Sequence, residues 1–140
     1  MVRIYPDMGH WMQLKDAESL PWMAKFNRNP WPKKIIWQQS KGINSRFYWL
    51  QIPENNLSIG QRVEAEVEDN IIRIKTEKVS QLIIRLSDHL VNLDKQIKIS
   101  ANGQDKFNGK ISRSAREIIK SLDQRADPRS VSTAVVSLKL

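Results

Sequence analysis

The alternation of apolar and charged side chains over residues 62–76 constrains the fold of this chain more than any other feature of its sequence. A period of two sends successive side chains to opposite faces of a strand, so this segment predicts two strands that are each apolar on one face. Asp69-Asn70 interrupts the alternation, and both residue types tolerate the positive φ of a tight hairpin turn. We therefore predict an antiparallel hairpin in which glutamates of the first strand face Arg73 and Lys75 of the second. The side chains predicted to face the core are Val63, Ala65, Val67, Ile72, Ile74 and Thr76.

Short segments elsewhere in the chain repeat this pattern and end at residues that favour turns. Asn102-Gly103 is a strong hairpin signal, while Ser58-Ile59-Gly60-Gln61 and Asp88-His89 predict turns between other strands. The remaining predicted strands are 33–39, 46–52, 81–86, 96–100, 106–111 and 131–140, with a short continuation at Val91 and Leu93. About seven or eight short strands joined by such turns predict a mainly β chain, folded as an antiparallel β-sandwich of immunoglobulin-like size.

Residues 46–52 differ from the other segments because large apolar side chains occupy both of their faces. In a strand, one face would carry Phe47 and Trp49, and the other Tyr48, Leu50 and Ile52. A strand that is apolar on both faces is typical of the centre of a sandwich. We therefore predict one continuous central strand here.

One helix is predicted late in the chain. Ser114-Ala115-Arg116-Glu117 fits a capping box, in which the serine and the glutamate satisfy free N–H groups at the start of a helix. Apolar residues then recur at helical spacing and predict a stripe that faces the core. The stripe consists of Ala115, Ile118, Ile119 and Leu122. Asp127-Pro128 ends the helix, because proline disfavours helical geometry in the residue before it.

The composition of the chain changes at Asn29-Pro30-Trp31-Pro32, where two prolines prevent a helix from continuing. We place a domain boundary there, between residues 1–29 and residues 30–140. The first part is rich in aromatic residues and methionine. It predicts an apolar strand, a turn at Gly9-His10 and a short helix over 16–27 with Ser19 as its N-cap. The prediction for this part is thus a strand–loop–helix appendage on the sandwich.

The overall charge and the residue types limit the partners of the chain. Its formal net charge is +8 over 140 residues, which favours anionic partners. The cations are spread, however, and Lys33-Lys34 is the only adjacent basic pair, which indicates solvated strand faces rather than a nucleic-acid surface. The chain has no cysteine, and its two histidines, His10 and His89, lie far apart, so we predict no disulfide, metal or cofactor. No segment approaches the length of a membrane span, so no membrane partner is expected.

His10 is the strongest candidate for a catalytic residue. Val2-Arg3-Ile4-Tyr5 predicts a short strand that leads directly into Gly9-His10, and glycine permits an unusual backbone turn there. A histidine at such a junction suits a general base. Residues 2–29 resemble the end of an α/β-hydrolase-fold serine esterase or peptidase, with its last strand, histidine loop and last helix. The resemblance implies that His10 is the catalytic histidine of a full-length parent.

The rest of the chain also resembles part of this family. From Asn29-Pro30-Trp31-Pro32 through Phe47-Tyr48-Trp49-Leu50 to the C-terminus, it is similar to the β-sandwich tail of bacterial hydrolases of the prolyl-oligopeptidase-like and esterase type. The pattern Gly-x-Ser-x-Gly that presents the nucleophile is missing, and Asp7 is too near His10 in sequence for the acidic member of a triad. A base without a nucleophile cannot perform acyl transfer, so the fragment itself is expected to be inactive.

The tryptophans leave two interpretations open. Five tryptophans are unusual for this length, and exposed flat rings stack on sugars, whereas buried rings fill cores and interfaces. We predict that Trp37 and Trp49 belong to the core. Trp11, Trp22 and Trp31 are candidate ligand or interface aromatics.

The leading hypothesis is a non-catalytic C-terminal β-sandwich of a serine hydrolase, which packs against the catalytic domain of its parent. A second copy of the chain, joined through the N-terminal segment, is the other partner expected. A periplasmic or secreted location follows if the parent carries a signal peptide. A carbohydrate-binding module and a basic nucleic-acid-binding β domain are the alternative functions. The first needs exposed, coplanar tryptophans, and the second needs cations clustered beside exposed aromatics.

Overall fold

Within Ile4 and residues 6–140, the part of the chain that the structure, a computed structural model, describes, nine strands form two sheets around a shared core. The strands are β1 (Lys34–Gln38), β2 (Arg46–Phe47), β3 (Leu50–Gln51), β4 (Arg62–Glu68), β5 (Ile71–Glu77), β6 (Gln81–Leu86), β7 (Ile97–Ala101), β8 (Gln104–Gly109) and β9 (Ala134–Lys139). The helices are α1 (Ser19–Met23) and α2 (Ala115–Arg125), with 3-10 turns at Met12–Glu18, Glu54–Asn56 and Pro128–Ser130. The prediction of a mainly β, two-sheet fold with a late helix is confirmed.

The two sheets differ in their number of strands and in whether all of their strand pairs are antiparallel. One sheet has five strands in the order β1-β4-β5-β7-β8, and the other has four in the order β2-β3-β6-β9. β5 pairs with β7 in parallel, because the chain crosses to the other sheet for β6 before it returns. The strand pairs on either side of that junction are antiparallel. The sandwich is therefore antiparallel apart from one internal pair.

The hairpin of β4 and β5 forms as its alternation predicts. Glu66 lies opposite Arg73 and Glu64 lies opposite Lys75, so opposite charges face each other on the outer surface of the sheet. The apolar residues predicted to face the core point inward, and Val63 and Ile72 are completely buried, whereas Ile71 at the start of β5 is 36% exposed. Asp69 has a φ of 50°, which supplies the positive φ of the turn. This confirms the strongest local prediction from the sequence.

The hairpin at Asn102-Gly103 is confirmed as well. Both residues have positive φ, 51° for Asn102 and 80° for Gly103, as the tight turn of a twisted hairpin requires. The Asn102 side chain also binds the end of β5, since its Oδ1 accepts the backbone N–H of Thr76 at 2.8 Å. Its Nδ2 donates to the hydroxyl of Thr76 at 3.0 Å. The Asn102 side chain thus adds two hydrogen bonds between the β7–β8 turn and the neighbouring strand β5.

The prediction of one continuous strand over 46–52 is wrong. The segment is a small hairpin, in which β2 and β3 pair across a turn at Tyr48-Trp49 and Tyr48 has a φ of 53°. A continuous strand would send Trp49 and Leu50 to opposite faces, whereas the turn buries both. The Trp49 indole donates to the carbonyl of Pro32 at 2.8 Å, which satisfies its N–H inside the core.

The predicted strand continuation at Val91 and Leu93 is also wrong. Both side chains are buried, but their backbone lies in a loop between β6 and β7. The side chain of Asn70 forms hydrogen bonds with backbone groups of this loop that would otherwise pair with a neighbouring strand. It donates to the carbonyls of Asn92 and Gln96 at 2.8 and 3.0 Å, and it accepts the N–H of Asn92 at 2.8 Å.

The late helix forms where expected, but the prediction that its apolar stripe faces the core is wrong. The hydroxyl of Ser114 accepts the N–H of Glu117, so the predicted N-cap is present. The buried positions of α2 are Glu117 and Ser121, while Ile119 is 61% exposed and Leu122 is also exposed. Arg85, on the outer face of the four-stranded sheet, explains why α2 turns Glu117 rather than its apolar stripe towards the sheet. A buried guanidinium must be paired with a carboxylate, and Glu117 supplies it.

Residues 6–29 are organised differently from the prediction. A 3-10 segment precedes α1, so Ser19 is the first residue of a five-residue helix rather than an N-cap, and no side chain caps that helix. The predicted helix over 16–27 is thus shorter than expected. Of the strand predicted for residues 2–5, the structure describes Ile4 alone, so that strand lies outside the described residues.

Candidate functional site

His10 lies on an exposed turn of the N-terminal segment. The N–H of Met12 donates to the carbonyl of Gly9 at 3.0 Å and closes this turn. Gly9 does not have positive φ; Asp7 and the three residues from Met12 to Leu14 do. The His10 ring meets the ring of Trp11 edge to face at 5.6 Å. Among the described residues, no side chain donates to or accepts from the imidazole, so the structure brings no nucleophile or carboxylate to His10.

The N-terminal segment carries several large apolar side chains on its surface. None of the described residues from 6 to 29 is buried. Trp11 is 83% exposed, and the ring of Trp22, which is 37% exposed, lies 4.8 Å from that of Phe26. The other exposed apolar residues of the segment are Leu14, Leu20 and Met23. An exposed set of this kind is typical of a surface that meets a partner.

Burial begins at Trp31, at the predicted boundary. The Trp31 indole is buried and donates to the carbonyl of Arg129 at 3.1 Å, while the side chain of Asn29 accepts its backbone N–H at 2.9 Å. Trp37 and Trp49 are buried too, which confirms that they belong to the core. Of the three candidate interface aromatics, Trp11 and Trp22 are therefore on the surface and Trp31 is inside.

An ion pair joins the N-terminal segment to the sandwich. Arg28 donates to the carboxylate of Asp127, just beyond the end of α2. This contact, together with hydrogen bonds from Ser130 and Arg129, lowers the pKa of Asp127 to about 2. Arg28 and Trp31 thus fix the last residues of the segment beside α2.

A small cleft lies between α2, β6 and the turn of the β2–β3 hairpin. Three arginines, Arg46, Arg85 and Arg125, line it together with aromatic residues. The remaining lining residues are Pro30, Trp31, Tyr48, Trp49, Ser121, Gln124, Ser130 and Ser132. Its enclosed volume is about 10 Å³, which is room for one water-sized group.

The inner wall of this cleft is a buried polar network. Arg85 and Glu117 are each 6% exposed and form an ion pair. Glu117 also accepts the hydroxyl of Ser132 at 2.6 Å, and Arg85 donates to the side-chain oxygens of Gln51 at 2.8 Å and Gln124 at 3.1 Å. Because every charged group has partners, this network holds α2 on the sheet without leaving an unpaired buried charge.

The other two arginines of the cleft have no carboxylate partner of their own. Arg125 donates to the carbonyl of Tyr48 in the β2–β3 turn. The guanidinium of Arg46 makes no hydrogen bond or ion pair within the described part of the chain. Burial lowers the pKa of both guanidinium groups, and the nearby charge of Arg85 lowers each pKa further. The like charges therefore repel each other at the mouth of the cleft.

Sequence reasoning missed these arginines. Arg85 lies between Ile84 and Leu86, whose side chains point inward, so the alternation predicts that its own side chain points outward. It does lie on the outer face of the sheet, but α2 buries it there. No local signal identifies it, because the side of α2 that is buried is set by the contact between Arg85 and Glu117, which lie 32 positions apart.

The remaining charges lie on the surface and are mixed in sign. Arg113 binds Asp88 at 2.6 Å and Asp94 at 2.7 Å, and its hydrogen bonds lower the pKa of both carboxyl groups. On the five-stranded sheet, Lys98 pairs with Asp105 at 2.9 Å. Cations and carboxylates alternate there, whereas a nucleic-acid surface needs cations concentrated on one face.

The described residues contain no cluster of three or more side chains suited to holding a metal ion. None of the helices they form is both long and apolar enough to span a bilayer. Comparison of the chain with protein-family models, with curated proteins and with solved structures finds no match. The function must therefore be argued from the residues and the geometry.

Proposed function

We propose that this chain is the C-terminal part of a bacterial serine hydrolase of the α/β-hydrolase fold. Residues 30–140 would be a non-catalytic β-sandwich domain, and residues 1–29 would be the end of the catalytic domain. The observation that carries the proposal is the contrast at Trp31: an apolar segment, none of whose described residues is buried, adjoins a sandwich with a core of its own. The resemblance of the Gly9-His10 segment to a histidine loop supplies the identity of the missing partner.

The exposed segment favours a partner on energetic grounds. Burial of a large apolar side chain contributes about 1.5–3 kcal/mol, and the segment offers several such side chains. Met12, Gln13 and Leu14 also have positive φ, which costs about 1–2 kcal/mol for each non-glycine residue. Contacts with a catalytic domain would bury these side chains and would offset the cost of the positive φ angles.

The chemistry proposed for the complete enzyme assigns one role to this chain. His10 would accept the proton of a serine hydroxyl as that serine attacks an ester or peptide carbonyl, and would then donate it to the leaving group. The serine and the acidic residue would come from the catalytic domain. His10 is exposed, and its imidazole has no hydrogen bond to a side chain among the described residues, so the imidazole is available for them.

The sandwich would serve this enzyme by packing. Arg28 and Trp31 fix the end of the segment beside α2, so a catalytic domain joined at residue 29 would lie next to this helix. The exposed Ile119 and Leu122 of α2 would then face that domain. Such packing would shape access to the active site without contributing a reacting group.

The decisive experiment uses the reading frame that includes the codons upstream of Met1. We expect it to encode a Gly-x-Ser-x-Gly segment and its product to be labelled by a fluorophosphonate probe. His10→Ala should abolish turnover of an ester substrate, whereas His89→Ala should leave turnover unchanged because His89 lies in a loop of the sandwich. Full turnover by the His10→Ala enzyme, or the absence of an upstream nucleophile, would refute the proposal.

A second candidate function rests on the exposure of Trp11 and Trp22. Exposed indoles are what a carbohydrate-binding module requires, and both rings lie on the N-terminal segment. This candidate predicts that the chain is retained by an insoluble polysaccharide and that Trp11→Ala or Trp22→Ala releases it. Retention that is unaffected by both substitutions would contradict this function.

A further inference from the structure

We propose that the cleft between α2 and the β2–β3 hairpin binds one oxyanion group, a phosphate or a carboxylate, between Arg46 and Arg125. This inference does not depend on the proposed function. It concerns the sandwich alone, and it remains testable whatever domain the N-terminal segment contacts.

The charges that line the cleft are not balanced. Arg46, Arg85 and Arg125 reach into it, and none of its lining residues is a carboxylate. Glu117, immediately behind the lining, is bonded to Arg85 and to the hydroxyl of Ser132. The guanidinium groups of Arg46 and Arg125 are thus left without a negative partner among the residues that the structure describes.

The carboxylates farther away do not supply the missing charge. Glu54 is near enough to Arg46 to favour its charged form, but it forms no ion pair with it. Asp127 acts on Arg125 at a distance and is itself bonded to Arg28. An anion bound at the mouth of the cleft would meet Arg46 and Arg125 directly.

The half-buried position of these arginines explains why an anion should be preferred to water. Burial and repulsion from neighbouring arginines lower the pKa of both groups, which means that their charged forms are destabilised. A bound negative charge would relieve this destabilisation. The fork of N–H donors on a guanidinium matches the oxygen pair of a carboxylate or a phosphate.

The walls of the cleft restrict the size of the ligand. Of its aromatic lining residues, Trp31 and Trp49 are buried, and Tyr48 is partly exposed. Because the enclosed volume is about 10 Å³, one oxygen of the anion fits inside and the others remain at the mouth. The site is therefore suited to a single oxyanion group and not to a larger organic molecule.

The test measures thermal unfolding of the full chain in inorganic phosphate, in acetate and in sodium chloride at equal ionic strength. We expect phosphate or acetate to raise the unfolding temperature more than chloride does, because a ligand of the folded state stabilises it. Arg46→Gln should remove this specific shift and weaken binding about tenfold or more. The matched control is Arg73→Gln, on the exposed face of β5, which should retain the shift.

The behaviour of Arg46→Gln without added anion separates a binding role from a structural one. Since the substitution removes one of three mutually repelling charges, its unfolding temperature at low salt should equal or exceed that of the wild type. If Arg46→Gln does not fold, phosphate-induced shifts of the Arg46 and Arg125 Nε–H signals in the wild-type protein decide the question in its place.

Several outcomes would overturn the proposal. They are equal shifts in phosphate, acetate and chloride, a phosphate or acetate shift that is as large in Arg46→Gln as in the wild type, or a signal change at arginines other than those of the cleft. The difference between the wild-type shift and the Arg46→Gln shift removes the general stabilisation that kosmotropic anions give any folded protein. A larger difference in phosphate would indicate a phosphate group as the natural ligand, and a larger difference in acetate would indicate a carboxylate. Either of these two responses supports an oxyanion site.

Discussion

Residues 6–29 and residues 31–140 both contain tryptophans and large aliphatic side chains, yet one region buries none of them and the other buries most. Trp11 and Trp49 illustrate the difference, with 83% and 1% of their surface exposed. The second region has strands of period two that can cover one another, whereas the first has a five-residue helix and a 3-10 segment. Apolar content alone therefore does not create a core; a second apolar surface that can cover it is also required.

The largest expected difference between the two regions comes from one substitution made in each. Leu82→Ala, at a completely buried position of β6, should lower the free energy of unfolding by about 2–5 kcal/mol, since it leaves a cavity in the core. Leu20→Ala, on the exposed surface of α1, should change it by less than about 0.5 kcal/mol. Urea denaturation of both variants measures this. Equal losses would mean that the N-terminal segment contributes to the core.

The second prediction compares the ion pair inside the sandwich with the one that joins the segment to it. Glu117→Gln should cost about 3 kcal/mol, because it leaves the Arg85 guanidinium unpaired between α2 and β6. Asp127→Asn should cost much less, because the Arg28–Asp127 contact is solvated. The same denaturation experiment measures both. A double replacement of Arg85 and Glu117 by apolar residues, which should recover most of the loss, is the control for packing.

The third prediction removes the first region altogether. A chain that starts at Asn29 should unfold in one cooperative transition at nearly the same denaturant midpoint as the full chain, because no residue before Trp31 is buried in the described structure. It should also bind less of a dye that fluoresces on apolar surfaces. Dye binding that is unchanged by the deletion would contradict the view that this segment is the main exposed apolar surface.

The smallest expected effect is a titration. The folded-state pKa of Asp127 is about 2, below that of an unfolded aspartate. Its contribution to folding is therefore complete above pH of about 4 and is lost as the pH falls through the folded pKa. In Arg28→Gln, carboxyl NMR should show that pKa move up towards its ordinary value. The carboxyl of Asp88, bound to Arg113, should titrate as in the wild type.

The sequence predicts those parts of the fold whose determinants are local. The turns at Asp69-Asn70 and Asn102-Gly103 need only their own residue types and the alternation beside them, and both are found. The turn at Tyr48-Trp49 has no such signal. It depends on the Trp49 indole reaching the carbonyl of Pro32, 17 positions earlier in the chain.

The candidate site was less predictable than the fold for the same reason. Arg46, Arg85 and Arg125 lie on three separate elements, and the sheet pairing and the position of α2 bring them to one cleft. The face that α2 presents is decided by Arg85, which is 32 positions from Glu117. His10, by contrast, is apparent from the sequence, but the catalytic role proposed for it requires a nucleophile and a carboxylate that the described residues do not bring to it.

The position of β9 has a consequence for synthesis of the protein on the ribosome. β9 completes the four-stranded sheet by pairing along the whole of β6. Until residues 134–139 have been added, β6 has one open edge, and the nascent chain presents unpaired backbone groups beside Leu82 and Leu86. The sandwich therefore completes its fold only after β9 has been synthesised, and the interval before β9 emerges is when a chaperone that shields strand edges would matter most.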